Sequence, residues 1–205
     1  DADRILVVDE NGEIADGDQI MGAIAIDAKA QGRLAGDTVV ATIMSNLGLE
    51  GALSREGIKL ERTKMGDRYV VERLREGGFS IGGEQSGHVV LADHVTTGDA
   101  IIAAIAVLSI MVREGKKASE VLSVFEPVPQ LLENVRYQSD DPLSAETVKA
   151  RIENVSANLG DSGRVVVRKS GTEPLIRVMA EAYERGNAER AVNEIIAEIL
   201  KADGQ

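Results

Sequence analysis

Residues 168–174 read Arg-Lys-Ser-Gly-Thr-Glu-Pro and lie between two β-like runs, residues 164–167 and 175–179. Two cations, two hydroxyls and a glycine therefore share one turn whose ends are held by strands. That set suits a phosphate. Arginine offers a planar two-donor fork, lysine a point charge, and serine and threonine short donors. Gly171 would let successive backbone N–H groups turn inward as a concave nest for an anion. The same residues also fit a solvated basic hairpin turn, so other segments must decide.

A second loop, residues 82–88, reads Gly-Gly-Glu-Gln-Ser-Gly-His. Glu84 and Ser86 alternate, so an extended backbone puts them on one face. A carboxylate beside a hydroxyl suits vicinal sugar hydroxyls, each of which wants a donor and an acceptor. A glycine turn with solvated polar residues is the other reading, and His88 reads as a satisfied residue at a strand start. Residues 64–69, Lys-Met-Gly-Asp-Arg-Tyr, join a strand to a helix. Lys64 could hold a phosphate or carry a proton, and Asp67 reads as the helix cap. Asp1 and Asp3 alternate ahead of Arg4, so their carboxylates could meet on a hard cation such as Mg²⁺. Two carboxylates are not a full ligand set, and an acidic terminus accounts for them equally well.

The elements that must position these loops follow from periodicity and punctuation. Residues 5–8 read as a strand and 10–13 as a tight turn. A helix starts at Asp16-Gly17-Asp18, with Ile20, Met21, Ile24 and Ala28 on one face. A buried strand at 38–43, a short helix at 47–55 and a strand at 58–63 come next. A helix at 69–75 is stopped by Gly77-Gly78. Extended residues 79–81 and 89–91 flank the second loop. Thr97-Gly98-Asp99 cap an apolar helix over 100–113, and a further helix covers 118–124. Strands alternating with helices predict an α/β domain over residues 14–125. Pro127 and Pro129 break the pattern, so residues 126–133 read as a linker. Beyond them come a strand around 135–137, a helix capped by Ser144 and running to 159, two strands flanking the basic loop, and a helix over 187–201. That order predicts a small α+β domain over residues 134–205.

Composition narrows the function classes. Among 205 residues, 43% are hydrophobic, which supports a packed core, while aromatics are 2% and Trp is absent. That scarcity argues against a base-stacking surface, and a net charge of −11 argues against nucleic acid as a partner. No Cys is present, which excludes disulfides, thiolate nucleophiles and Cys-based zinc sites. The longest apolar run, residues 100–112, is too short to span a membrane as a helix. A soluble cytoplasmic protein with a small-molecule partner is the expectation. The chain opens without Met and reads as part of a longer protein.

Four loops, at residues 1–4, 64–69, 83–88 and 168–174, stand in an order that resembles the α-D-phosphohexomutase superfamily, and more closely the bacterial phosphoglucosamine mutases. The similarity covers essentially the whole chain. It implies that residues 1–13 end a second domain. It also implies that residues 14–125 are a third, sugar-binding domain with a mixed sheet and helices, and that residues 134–205 are a fourth, phosphate-binding domain with an antiparallel sheet and two helices. The implied activity is that of an isomerase. Glucosamine 6-phosphate and glucosamine 1-phosphate interconvert through a phosphoserine and a 1,6-bisphosphate, with Mg²⁺ neutralising the transferring group. The product feeds UDP-N-acetylglucosamine and cell-wall synthesis.

The resemblance also assigns residues. Asp1 and Asp3 match metal ligands, Arg4 a residue near the phosphoserine, and Lys64 a lysine of the cleft. Glu84 and Ser86 match contacts to sugar hydroxyls. Arg168, Ser170, Gly171 and Thr172 match the loop that grips the non-transferring phosphate, with Arg177 on the next strand a candidate for the same task. The family's first metal-loop Asp and its serine loop do not occur in these residues. The chain is thus expected to be a C-terminal fragment, inactive alone and poor at holding Mg²⁺. Gln85 and residues 64–69 resemble the glucosamine branch more than phosphomannomutase or phosphoglucomutase. A non-catalytic module that binds a sugar phosphate is the alternative from another class. Residues 125–129 are expected to act as a hinge.

Overall fold

The structure is a computed structural model that describes residues 1–138, 141–171 and 173–204. Contacts divide the chain into two compact units, residues 1–127 and 128–205.

The first unit opens with a two-stranded antiparallel ribbon, β1 (Val7–Val8) and β2 (Ile14–Ala15). Helix α1 (Gly17–Ala30) starts where Asp16 accepts from the backbone N–H groups of Asp18 and Gln19, a side-chain cap that satisfies two otherwise orphaned donors. The unit continues through β3 (Thr38–Thr42), α2 (Leu47–Arg55), β4 (Lys59–Thr63), α3 (Asp67–Gly77), β5 (Ile81–Gly83), β6 (Val89–Leu91), α4 (Ala100–Glu114) and α5 (Ala118–Leu122). Four strands make a mixed sheet in the order β4-β3-β5-β6, with β4 and β5 parallel to β3 and β6 antiparallel to β5.

Every residue of β3 is buried, as expected of a central parallel strand covered on both faces. Val39 and Ala41 face the larger core, with Ile20, Met21 and Ile24 of α1 and Val107 of α4. Val40 faces a smaller core built on Val70 and Leu74 of α3. The predicted α1 face, Ile20, Met21, Ile24 and Ala28, is buried throughout.

The second unit contains β7 (Gln130–Arg136), α6 (Glu146–Leu159), β8 (Gly163–Lys169), β9 (Leu175–Ala182) and α7 (Arg185–Ala202). Its sheet is antiparallel with β9 central, in the order β7-β9-β8. Ile176, Val178 and Ala180 of β9 pack with Val148 and Val155 of α6 and with Val192, Ile195 and Ile199 of α7.

Three details differ from expectation. Residues 130–133 are not linker but the first half of β7, paired with β9 along its length. The cap position of α6 is Ala145, with no side-chain cap; the Ser144 hydroxyl instead donates to the Asp141 carbonyl in a preceding 3₁₀ turn. Asp67 is the first residue of α3, and the cap position is Gly66, so Asp67 is not the cap.

Candidate functional site

Strands β8 and β9 place Arg168 directly opposite Arg177 in antiparallel register. Side chains opposite each other on one face sit about 5 Å apart at Cβ, and like charges there repel. Burial, and then the Arg177 charge, hold the Arg168 guanidinium below its ordinary pKa. The Nε of Arg177 is buried and has no hydrogen-bond partner among the described residues. Two facing guanidiniums, one with an unmet donor, form a place where an anion would relieve both penalties.

The turn beyond them is anchored at its base. Ser170 N–H donates to the Leu175 carbonyl at 2.7 Å, and Tyr137 N–H to the Pro174 carbonyl at 3.3 Å. Two expectations change here. Lys169 is committed to its neighbours: its Nζ lies 2.8 Å from the Asp141 carboxylate and over the Tyr137 ring. Gly171 does not adopt a positive φ, and a Cβ there would meet nothing. Neither backbone strain nor crowding demands glycine, so the reading of Gly171 as the pivot of an anion nest is not supported. Thr172 lies outside the described residues.

In the first unit the three parallel strands β3, β4 and β5 end side by side. Residues 43–46, 64–66 and 84–88 therefore emerge at one edge, the carboxyl edge where ligands bind in open α/β sheets. Glu84, 8% exposed, joins two of these segments: Oε1 accepts from Gly66 N–H at 3.3 Å and Oε2 from the Ser86 hydroxyl at 3.3 Å. Glu84 and Ser86 do converge, and a buried carboxylate beside an exposed hydroxyl is an acceptor–donor pair for sugar hydroxyls. Gly66 has φ +119, which lets the turn bring its N–H to that carboxylate. Lys64 is exposed at the end of β4 on the same edge.

The N-terminal segment lies against this loop. Ile5 N–H donates to the Gly87 carbonyl at 3.0 Å, and Ala100 N–H to the Ala2 carbonyl at 2.9 Å. Gly87 has φ +93, and a Cβ there would sit 2.2 Å from the Ile5 carbonyl oxygen. Asp1, Asp3 and Arg4 are thereby held beside the loop. Among the described residues no group of three His, Cys, Asp or Glu side chains could hold a metal. Asp1 and Asp3 alone are too few ligands to fit Mg²⁺.

Two residues of this edge carry signals that sequence reasoning missed. His88 is buried; its Nε2 lies 3.8 Å from an Asp67 oxygen, its Nδ1 has no partner among the described residues, and a Cβ on Gly98 would fall 2.4 Å from that Nε2. The imidazole is thus wedged between backbone and a carboxylate rather than simply satisfied. Asp18 is fully buried under the edge, and burial raises its carboxyl pKa to about 7. A cavity of about 440 Å³ lined by Ile24, Leu91, Ile102 and Ile110 contains none of these loops.

Comparison with known proteins follows the same division. The family description "Phosphoglucomutase/phosphomannomutase, alpha/beta/alpha domain III" matches residues 16–128, and "Phosphoglucomutase/phosphomannomutase, C-terminal domain" matches residues 110–198. A phosphoglucosamine mutase of Paracoccus denitrificans is 56% identical over 98% of this chain and 45% of its own length. One from Sphingopyxis alaskensis is 57% identical over 95% of this chain and 44% of its own length. The chain therefore spans somewhat under half the length of these curated relatives. Among solved structures, an N-acetylphosphoglucosamine mutase of Aspergillus fumigatus superposes with a TM-score of 0.80 at 22% identity, covering 98% of this chain and 47% of that one. Another structure of that enzyme, with GlcNAc-6P and magnesium, has a TM-score of 0.76 at 22% identity over 97% of this chain and 50% of that one. These structural likenesses establish the fold.

Proposed function

Because this chain belongs to the phosphoglucomutase/phosphomannomutase family, we propose that it supplies the ring-reading and phosphate-anchoring parts of a phosphoglucosamine mutase. The reaction interconverts glucosamine 6-phosphate and glucosamine 1-phosphate through a phosphoserine and a 1,6-bisphosphate. The observation that carries this reading is the facing pair Arg168 and Arg177, with the unmet donor on Arg177.

That pair, with Ser170, Gly171 and Thr172, holds the phosphate that is not being transferred. Its binding energy orients the sugar, so each half-reaction presents the other oxygen to the serine. Glu84 and Ser86 read ring hydroxyls. Lys64, exposed at the same edge, places positive charge where a phosphoryl group transfers, and Arg4 serves beside the phosphoserine. In this reading the phosphoserine, and whatever further ligand Asp1 and Asp3 need to hold Mg²⁺, are supplied from outside the residues of this chain. Mg²⁺ would neutralise phosphoryl charge there. The segment around Pro127 and Pro129 acts as the hinge.

A coupled mutase assay tests the reading. The full-length protein containing this chain converts glucosamine 6-phosphate, and the 205-residue chain does not. Turnover by the chain alone would contradict the assignment of the phosphoserine. Faster turnover of glucose or mannose phosphates by the full-length protein would move it to a neighbouring branch of the family.

A further inference from the structure

The first turn of α1 touches two segments with different tasks. Gly17 N–H donates to the Gln85 carbonyl at 3.0 Å, and a Cβ on Gly17 would collide with the Glu84 carbonyl oxygen, so the loop that carries Glu84 lies on bare helix backbone. Two residues on, the Gln19 side chain grips the segment that leaves α5. Its Nε2 donates to the Phe125 carbonyl at 2.9 Å, and its Oε1 accepts from Val124 N–H at 2.9 Å. Both ends of one amide are thus spent on adjacent residues. Two glycines seat the same segment. A Cβ on Gly22, one turn along α1, would lie 3.0 Å from the Val124 side chain. One on Gly48, in the first turn of α2, would lie 2.5 Å from the Phe125 ring and 2.9 Å from the Glu126 carbonyl oxygen. Residues 124–126 are therefore fixed to the first unit. The Pro129 carbonyl accepts from Ala182 N–H at 3.2 Å, at the end of β9, so Pro129 is fixed to the second. Pro127 and Val128 lie between these anchors.

We propose that Gln19 is a positioning residue for the mutase reaction: its amide fixes the point at which the connection between the units begins to pivot, and it does so from the same helical turn that carries the Glu84 loop. The proposal rests on the function proposed above. In that reading one unit anchors the phosphate and the other reads the ring. The length of loose chain between them then sets the effective concentration of one site at the other. Packing at Gly22 and Gly48 is non-directional, whereas the two amide hydrogen bonds hold the register. With them, two residues span the anchors. Without them, residues 124–128 can move, which makes five. Effective concentration falls as about the −3/2 power of length, so the loss is up to roughly fourfold.

Two variants test it. Gln19→Met keeps the side-chain length and removes both hydrogen bonds. Gln19→Glu keeps an acceptor for Val124 N–H and turns an oxygen toward the Phe125 carbonyl, so it releases half of the grip. In the full-length protein, Gln19→Met is expected to raise KM for glucosamine 6-phosphate by up to roughly fourfold with kcat unchanged, and Gln19→Glu by less. Affinity for inorganic phosphate should stay at the wild-type value, because Arg168, Ser170 and Arg177 lie beyond the connection. Hydrogen exchange reports the anchor itself: the Val124 amide should exchange faster in Gln19→Met while those of β3 hold. Unchanged exchange at Val124, or faster exchange with KM unmoved, overturns the proposal. So does a joint loss of kcat and phosphate affinity, which marks a merely structural role. Should Gln19→Met not fold, Gln19→Glu, an acidic residue at a helix N-terminus, carries the same comparison. If wild type does not turn the substrate over, the function proposed above fails. ¹⁵N relaxation of the 205-residue chain then decides the role of Gln19: the two units should tumble more independently in the variant, and equal tumbling overturns the proposal.

Discussion

Replacing Arg177 with Met separates folding from binding in the second unit. Arg177 faces Arg168 across β8 and β9 and keeps a buried Nε without a partner. A directly opposed like-charge pair costs up to about 1 kcal/mol, and an unmet buried donor about 1–3 kcal/mol. Methionine keeps a long flexible apolar stem and removes both penalties. Without anion, Arg177→Met is expected to be more stable than wild type by about 1–2 kcal/mol. The second unit holds 78 residues (205 − 127). For a unit of that size, each kcal/mol moves the midpoint by about 4–8 °C.

Inorganic phosphate reverses the order. At a phosphate concentration about 100 times its Kd, wild type gains about 2.7 kcal/mol, whereas the variant, lacking half the guanidinium pair, gains little. The chain has no Trp and only three Tyr, so far-UV circular dichroism or calorimetry should follow the melt, with chloride at matched ionic strength as the control. A variant less stable than wild type without phosphate, together with equal phosphate stabilisation of both, would refute the anion reading of the arginine pair.

Glu84→Gln keeps an acceptor for Gly66 N–H but removes the charge that Ser86 and a sugar hydroxyl would share. In the full-length protein KM for glucosamine 6-phosphate should rise about tenfold or more, while inorganic phosphate affinity stays unchanged. Asp18 also makes stability depend on pH. Its folded pKa, about 7, lies above its ordinary 3.8, so the folded state binds the extra proton. The protonated group's contribution is fully present below about pH 4 and is lost as pH rises to 7. Asp18→Asn should therefore melt close to wild type at pH 4.5 and above it at pH 8, by a margin on the order of a few kcal/mol. A margin that does not grow with pH would show that Asp18 is not held neutral by burial.

Much of this was legible because local rules and the tertiary fold agree. The helix entry at residues 16–18, the cap within residues 97–99, the apolar face of α1 and the buried run of β3 appear where punctuation and periodicity put them. The basic loop was visible because strand patterns on both sides fixed its ends. Strand β7 was obscured because it is an edge strand, with Leu132, Glu133 and Asn134 exposed in succession and two prolines just before it; its pairing with β9 is a tertiary fact.

Side-chain partnership was harder to read than residue type. Lys169 has the right chemistry for a phosphate, yet β-strand alternation turns it away from Arg168 toward Asp141. Asp18 and His88 look ordinary in sequence, since burial and missing partners arise only when α1, β4 and the loop at 84–88 close on them. The reverse holds for Gly17, whose need for a bare backbone comes from a segment nearly 70 positions away in sequence.

The most direct test of the central claim is an amide chemical-shift titration of the 205-residue chain, first with inorganic phosphate and then with glucosamine 6-phosphate. Phosphate should move the amides of Ser170, Gly171 and Arg177 and leave residues 84–88 unmoved. The sugar phosphate should move the first set and also Glu84, Gln85 and Ser86. Shifts that miss Arg177 and Ser170 while the protein remains folded, or that spread over surface lysines alone, would contradict the account.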